Sequence, residues 1–563
     1  MISRPWLAHY DSGVPPSIPY PAATLVDLMR SVSGARAAHP AVLFKGTVLT
    51  YGELDRLSTA FAAALAADGV GRGHRVALVL PNCPQFLVAQ FGIWKAGGVV
   101  VPLNPTYTER ELEIPLRDGG VEIVVTLTKF YDRVKSVQPR TGVRRVVATS
   151  IKEYLPPLLK LLFTLFREKK EGHRIALAGG DRWLQEVVAS GGALTAPAIT
   201  LSPDDPAVVL ASGGTTGTPK GVIGAHRAYV QAGLQLRTWT RSVFDAWTDR
   251  ILLPLPLFHV YANVGVQALA IVGRNPLALV PNPRDIDDLL KTIAKVRPAF
   301  FASVPTLFTA LLNHADVRGG RADFSSIKLS FSGASALMAE TRREFESLTG
   351  GRIIEGYSLT EGMMACLVNP VRGTAKNGSI GMPLPDVDVM IVDAENSDRR
   401  LDAGQVGELL MRAPQLMTGY WNNAAETALV LRDRPEGGTW LHTGDLGYLD
   451  EDGYVFLVDR KKDLIKTSGY QVWPREIEEV VAAHPAVLEV GVAGVRDTAK
   501  GEVVKAWVVL RPGAHATEAD IRAWCRSKLA PYKVPAAVEF RGELPKSMVG
   551  KVLRRMLATD QPA

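Results

Sequence analysis

The sequence predicts an α/β protein in which a large, multi-layer N-terminal domain with parallel α/β layering is followed by a small α+β C-terminal domain. Three observations point there. An apolar strand (76–80), a helix (85–95) and a second strand (98–102) follow one another at the spacing of a parallel crossover unit. The chain has 563 residues, too many for one compact core. Beyond Pro474 the pattern changes to helix, two strands, helix and strand, a unit of about 100 residues that is large enough to fold by itself.

Taken in order, residues 1–22 are rich in proline and read as extended. Thr50 and Glu53 have the spacing of a capping box, and Leu54, Leu57, Phe61 and Leu65 then fall on one helical face, with Gly69 near the stop. In the stretch 154–170, Lys160, Thr164 and Glu168 fall four apart. They leave a wide apolar face of Leu158, Leu159, Leu161, Leu162, Phe163, Leu165 and Phe166, followed by Lys169 and Lys170. That is the pattern of an interfacial helix resting on anionic lipid. It is also the pattern of a helix packed on its own core or on a second subunit. The small unit reads as a helix over 476–483, strands over 487–495 and 502–510, a helix capped by Thr517 and Asp520, and a strand over 538–540.

Composition excludes several classes. With 47% apolar and 21% charged residues the chain is an ordinary globular protein. Its net charge of +7, from 64 basic and 57 acidic side chains, suits anionic ligands or an anionic surface; interspersed charge of both signs argues against nucleic acid as a partner. The three cysteines, Cys83, Cys366 and Cys525, lie far apart and form no metal or redox spacing, which points to a reducing, cytoplasmic setting. The first ten residues carry no apolar run of the kind a secretory signal needs, and no stretch reaches the length of a membrane span. A peripheral position on the inner face of a membrane stays open, as does the choice between monomer and homodimer.

The stretch with the most chemistry follows the apolar strand at 206–211. Ser212, Gly213, Gly214, Thr215, Thr216, Gly217, Thr218, Pro219 and Lys220 put three glycines, hydroxyl side chains and one lysine into nine residues. Glycines let backbone N–H groups crowd around an anion, hydroxyls donate to phosphate oxygens, and lysine supplies a full charge. The loop is not a Walker A motif, because Lys220 follows proline and precedes glycine. Four strings follow in order: Glu355-Gly-Tyr-Ser-Leu-Thr-Glu361, Trp440-Leu-His-Thr-Gly-Asp445, Asp459-Arg-Lys-Lys-Asp463 and Pro545-Lys-Ser-Met-Val-Gly-Lys551.

With the loop, these strings resemble the acyl-adenylate-forming superfamily of acyl-CoA synthetases, luciferases and peptide-synthetase adenylation domains. The resemblance runs along nearly the whole chain. The strings Val458-Asp-Arg-Lys-Lys-Asp463, Tyr532-Lys-Val-Pro535 and Glu543-Leu-Pro-Lys-Ser547 look closest to bacterial long-chain fatty-acid–CoA ligases, in which an insertion comparable to 154–170 also occurs. The resemblance implies ATP, Mg²⁺ and CoA as cofactor and co-substrates, and a fatty acid as substrate. It implies an adenylation domain over 1–459, a hinge at 460–463 and a mobile lid over 464–563. Aryl or medium-chain acids, or transfer to a carrier protein, are the alternatives.

Carried over residue by residue, the resemblance assigns the loop from Ser212 to Lys220 to the phosphates, with Ser212 also beside the metal. Glu355 and Gly356 border the nucleotide, Tyr357 offers a flat face for adenine, Thr360 a hydroxyl for the α-phosphate, and Glu361 a hard oxygen ligand for Mg²⁺. Gly333 and Ala334 border nucleotide and acyl group. His259 stands at the wall of the acyl pocket with Tyr261 beside it, and the stretch 253–263 lacks the aspartate that pairs with the substrate ammonium in amino-acid-activating relatives. An uncharged tail follows, since a buried carboxylate without a cation is costly. Asp445, after a glycine turn, accepts both ribose hydroxyls. Arg460 reaches ribose or phosphate, Lys462 is the pivot, Lys466 and Gly469 belong to the thioester-forming arrangement, and Lys551 is the lysine brought in for adenylation.

Overall fold

The computed structural model describes residues 3–212, 220–364, 366–460, 463–467, 470–497, 501–546 and 552–559. The capping box forms as its spacing requires: Thr50 Oγ1 accepts the Glu53 N–H at 3.2 Å and Glu53 Oε2 accepts the Thr50 N–H at 2.8 Å, starting helix α1 (Tyr51–Ala67). The crossover unit follows as β1 (Arg75–Val79), α2 (Pro84–Lys95) and β2 (Val99–Pro102). β1 pairs in parallel with β2 on one edge and with β3 (Val121–Leu127) on the other, and β3 pairs in parallel with β4 (Arg145–Thr149). Every residue of α2 is buried, so the helix lies inside the molecule and not on its surface. Its last residue, Lys95, has an ammonium surrounded by oxygens: Asp55 Oδ1 at 2.5 Å and the Ser58 and Thr59 hydroxyls at 2.8 Å. Burial still lowers its pKa to about 8.

Among the described residues the strands form sheets of 8, 14 and 5 strands. In the first, β5 (Pro206–Ser212) runs parallel to β2 and is paired antiparallel with β6 (Lys220–Ala225), Ser212 opposite Lys220. In the second, β7 (Leu329–Ser332) and β8 (Arg352–Tyr357) are parallel neighbours, while β9 (Thr439–Leu449) and β10 (Val455–Arg460) form an antiparallel pair nearer one end. Gly356 permits the close approach of β7 and β8, since a Cβ there would lie 2.4 Å from the Phe331 Cζ. One apolar cluster joins residues of both large sheets with α1 and α2, including Phe61, Phe86, Trp94 and Tyr229.

The N-terminal segment departs from the extended reading. Pro5–His9 forms a 3₁₀ turn that buries Trp6, and Arg4 grips Asp388 with Nε and Nη2 at 2.6 and 2.9 Å. Asp11 accepts the N–H groups of Val371, Arg372 and Gly373. The segment is held by contacts more than 350 residues away in sequence, which local pattern does not report.

The 154–170 stretch forms α3 (Pro157–Leu162), continued by a π-helical turn over Phe163–Arg167. Phe163 turns inward against the ring of His173 at 5.3 Å, a departure from the apolar face read from spacing. The others face outward: Leu158, Leu165 and Phe166 keep 66%, 65% and 69% of their surface exposed, and Leu159, Leu161 and Leu162 are exposed too. The reading in which this helix packs on its own core is not met among the described residues, which leave all of that face but Phe163 exposed. No described helix is long and apolar enough to cross a membrane.

The small unit contains the elements its pattern gives, α4 (Pro474–Ala482), β11 (Val487–Asp497), β12 (Gly501–Leu510), α5 (Glu518–Arg526) and β13 (Ala537–Phe540), and adds three the pattern did not give: the strands Ile465–Thr467 and Tyr470–Val472 of the same sheet, and α6 (Arg554–Thr559). β11 and β12 pair antiparallel and β13 joins β12 in parallel, over a core that includes Ile477, Val492, Val508 and Ile521.

Candidate active site

A cleft of ≈ 2740 Å³ opens at the C-terminal ends of β7 and β8, bounded by β9, β10 and the small unit. Carboxyl ends of parallel strands are where open α/β sheets receive ligands, because the connecting turns there are free to line a crevice. Ser212, Lys220, His259, Tyr261, Gly333, Ala334, Glu355, Gly356, Tyr357, Thr360, Glu361, Asp445 and Arg460 all line this cleft, although up to 248 positions (460 minus 212) separate them.

The tightest cluster lies where β8 faces β9. The Tyr357 hydroxyl donates to Asp445 Oδ2 at 2.5 Å, and Arg460 Nε stands 3.0 Å from Asp445 Oδ1. Asp445 and Arg460 are cross-strand partners in the β9–β10 register, so the ladder itself sets this ion pair. Burial, with the Asp445 charge beside it, raises the Tyr357 pKa far above the usual tyrosine range, so the hydroxyl keeps its proton and remains a donor. Sequence reasoning gave Tyr357 only a ring for adenine and missed its hydroxyl bond to a residue 88 positions away.

Glu361 sits in a 3₁₀ turn (Thr360–Gly362), where its Oε1 accepts the Tyr420 hydroxyl at 2.8 Å and its backbone oxygen accepts the Met417 N–H at 3.0 Å. Tyr420 was not singled out in the sequence, and no spacing relates it to Glu361. Its ring also lies 5.1 Å from the Lys220 ammonium, which is itself paired with Glu426 at 2.5 Å. Lys220 is therefore a neutralised cation in this state, held at the start of β6. Glu361 presents a hard carboxylate to the cleft, a donor type that fits Mg²⁺, and the buried Ser212 stands at the end of β5 on the same cleft.

The Glu355 carboxylate pairs with Arg342 and accepts the Leu337 N–H at 3.3 Å, so it ties the helix Ala339–Thr349 to β8 while the residue lines the cleft. Burial raises its pKa, with the Arg342 charge acting in the opposite direction.

The opposite wall is uncharged. His259 Nδ1 accepts the Tyr261 N–H at 3.3 Å, and enclosure in protein pushes the imidazole pKa down to about 4, so the ring is neutral near pH 7. The Tyr261 hydroxyl donates to the Phe331 carbonyl at 2.9 Å. Its ring explains Gly333, where a Cβ would lie 2.9 Å from Tyr261 Cε1. Ala334 then takes a left-handed φ of 71°, turning the chain across the mouth of the pocket.

Gly213, Gly214, Thr215, Thr216, Gly217, Thr218, Lys462, Gly469 and Lys551 lie outside the described residues. Lys466 lies in the strand Ile465–Thr467, with its side chain outside the description. The sequence neighbours of Lys551 do reach the cleft: Lys546, Val552, Leu553 and Arg554 line it from the small unit.

Residues 30–421 match the AMP-binding enzyme family and residues 476–551 match the AMP-binding enzyme C-terminal domain. The chain belongs to the AMP-binding enzyme family. A long-chain-fatty-acid–CoA ligase of Bacillus subtilis (strain 168) is 38% identical to this AMP-binding enzyme over 99% of its chain and 98% of the relative's. Among solved structures, ATP-bound MatB from Rhodopseudomonas palustris is 28% identical with a TM-score of 0.78, covering 95% of this chain and 98% of that one. An anthranilate CoA ligase in complex with anthranoyl-AMP is 26% identical with a TM-score of 0.82, covering 96% and 98% respectively. The AMP-binding enzyme thus shares the arrangement of large and small domains with proteins crystallised holding a nucleotide or an acyl-adenylate.

Proposed function

We propose that this AMP-binding enzyme activates a long-chain fatty acid with ATP, releasing pyrophosphate and forming acyl-AMP, and then transfers the acyl group to CoA with release of AMP. One observation carries the reading: the Tyr357–Asp445–Arg460 cluster, the Glu361 carboxylate and the uncharged His259–Tyr261 wall share one cleft with the small unit. The fatty tail is supported by likeness to the Bacillus subtilis ligase along both units.

In the first step a carboxylate oxygen attacks the α-phosphorus and the bond to pyrophosphate breaks. Two anions must approach, so the barrier is largely electrostatic and positional. Asp445 accepts ribose hydroxyls while Tyr357 and Arg460 fix its carboxylate. Thr360 stands at the α-phosphate, the loop from 212 to 220 holds the departing pyrophosphate, and Lys551 bridges the reacting groups. Mg²⁺, when bound, would neutralise phosphate charge, with Glu361 and Ser212 as the residues to hold it. In the second step the CoA thiolate attacks the acyl carbonyl and AMP leaves. With the adenylation domain over 1–459, rotation at the hinge 460–463 about Lys462 carries the lid, 464–563, between two placements; the second brings in Lys466 and Gly469.

The test is AMP release across acids of increasing length, with and without CoA. A maximum at long chains supports the reading, and no AMP from any acid refutes it. A maximum at aryl or short acids refutes the tail, and AMP release that yields no acyl-CoA points to a carrier-protein acceptor. For the two placements, Lys551→Ala should abolish pyrophosphate exchange and spare thioester formation from supplied acyl-AMP, and Lys466→Ala should do the reverse. Loss of the same half-reaction in both refutes rotation.

The exposed apolar face of 154–170 is read as a bilayer contact, with Lys169 and Lys170 at headgroup level. Wild-type protein should co-sediment with anionic vesicles, and deletion of 154–170 should abolish this. Unchanged sedimentation, or loss of a homodimer in place of vesicle binding, overturns it.

A further inference from the structure

Asp459 lies on β10, in the large sheet, yet its carboxylate faces the small unit. Oδ2 accepts the Arg475 N–H at 2.8 Å, in the first turn of α4, where unpaired N–H groups and the helix dipole favour an anion. Oδ1 accepts the Arg460 N–H at 2.8 Å and Arg554 Nη1 at 2.5 Å. Only 2% of the Asp459 side chain is exposed. Arg554, at the start of α6, also grips Glu478 of α4 at 2.9 and 2.5 Å and reaches Asp463 at 3.4 Å.

We propose that Asp459 is a latch: its carboxylate, clasped by Arg554 and the α4 N-terminus, holds the small unit in the placement that puts Lys546 and residues 552–554 at the cleft. The inference rests on the two-placement reading above. Its logic is positional. Arg554, Glu478, Arg475 and Asp463 all follow the pivot at Lys462 in sequence, so they travel together when the small unit turns. Asp459 precedes the pivot and is fixed in the β9–β10 ladder. Rotation therefore preserves the grip of Arg554 on Glu478 and breaks both contacts from the small unit to Asp459. A buried carboxylate deprived of its partners is strongly destabilised, which makes the latched placement a distinct state. In that state Lys546 and residues 552–554, which flank Lys551 in sequence, line the same cleft as Asp445. Asp459 and Arg554 are positioning residues for adenylation, acting through the placement of Lys551.

Asp459→Asn tests this, with Glu478→Gln as its control, because both remove one carboxylate from the same guanidinium and only the first joins the two units. Each half-reaction is measured separately, pyrophosphate exchange for adenylation and acyl-CoA formation from supplied acyl-AMP for transfer. Asp459→Asn should slow exchange at least about tenfold and leave transfer undiminished. Glu478→Gln should leave the ratio of the two rates near that of the wild type. Tryptic cleavage within Arg460-Lys-Lys462 of the unliganded protein should also quicken in Asp459→Asn and not in Glu478→Gln. Equal loss of both half-reactions in Asp459→Asn, an unchanged ratio, or the same shift in Glu478→Gln overturns the latch. Lys551→Ala and Lys466→Ala run alongside: if those two lose the same half-reaction, the rotation reading fails, whereas a latch failure with those variants behaving as expected leaves rotation standing.

Discussion

Replacing Asp445 by asparagine removes one charge and keeps the shape, so its effect divides cleanly between nucleotide binding and stability. A hydrogen bond to a charged acceptor is worth about 1.5–3 kcal/mol and one to a neutral acceptor about 0.5–1.5, a difference of about 1 kcal/mol per bond. Two ribose hydroxyls on this carboxylate then lose about 2 kcal/mol of ATP binding, which is about 30-fold in KM for ATP. The folded state loses less. The 2.5 Å bond from Tyr357 weakens by a similar increment, and Arg460, whose side chain is 36% exposed, gives up a pair screened by solvent. Urea unfolding should record a loss of about 1–2 kcal/mol. The assay is pyrophosphate exchange at varied ATP, with Tyr357→Phe as comparison: that variant should show a similar stability loss and move KM for ATP less than about threefold. If Asp445→Asn leaves KM unchanged, or if the two variants shift it equally, Asp445 is only a strut for Tyr357 and Arg460, and the ribose assignment fails.

Three further outcomes follow from the same geometry. His226 is buried against Trp94 with its pKa lowered by desolvation from 6.5 to about 4; its contribution is full above pH 6.5 and is lost as pH falls toward 4. Between pH 7 and pH 5 the wild type should lose about 2 kcal/mol more stability than His226→Phe, measured by urea unfolding, and equal losses would contradict a neutral buried imidazole. Asp55→Asn should destabilise by about 3–5 kcal/mol because it strands the Lys95 ammonium, and adding Lys95→Met should recover most of that loss; if it does not, the ion pair is not the cause. Tyr420→Phe removes a donor that orients Glu361 and should raise the Mg²⁺ concentration for half-maximal pyrophosphate exchange about fivefold, a shift that will not occur if Glu361 stands away from the metal.

Local elements were legible where short-range chemistry decides them. The capping boxes at Thr50 and Thr517 and the glycine that lets β7 and β8 approach are written within a few residues of where they act. The cleft was legible in outline because Ser212, Tyr357 and Arg460 stand at or next to strand ends, whereas Asp445 lies inside β9. The side-chain partnerships were not. Tyr357 and Asp445, Glu361 and Tyr420, or Asp459 and Arg554 meet only because the tertiary fold brings together elements far apart in sequence. The pairing of Glu355 with Arg342 was hidden for the same reason, since Arg342 sits on a helix whose packing no motif records. Periodicity gave the 154–170 helix an apolar face but held no information about what covers it.

The proposed hinge has a reason in the last residues of β10. Successive side chains on a strand point to opposite faces, so Arg460 turns to Asp445 while Asp459 turns to α4 and Arg554. The two are joined by more than the backbone, because Asp459 Oδ1 also accepts the Arg460 N–H. Displacing the small unit withdraws two donors from Asp459 and leaves that N–H as a partner the strand itself supplies. Ion pairs clasped in this way have few intermediate geometries, since a guanidinium half withdrawn from a buried carboxylate has lost its bond without regaining water. The proposed rotation is then expected to be two-state, with the energetic step between the states falling at Asp459.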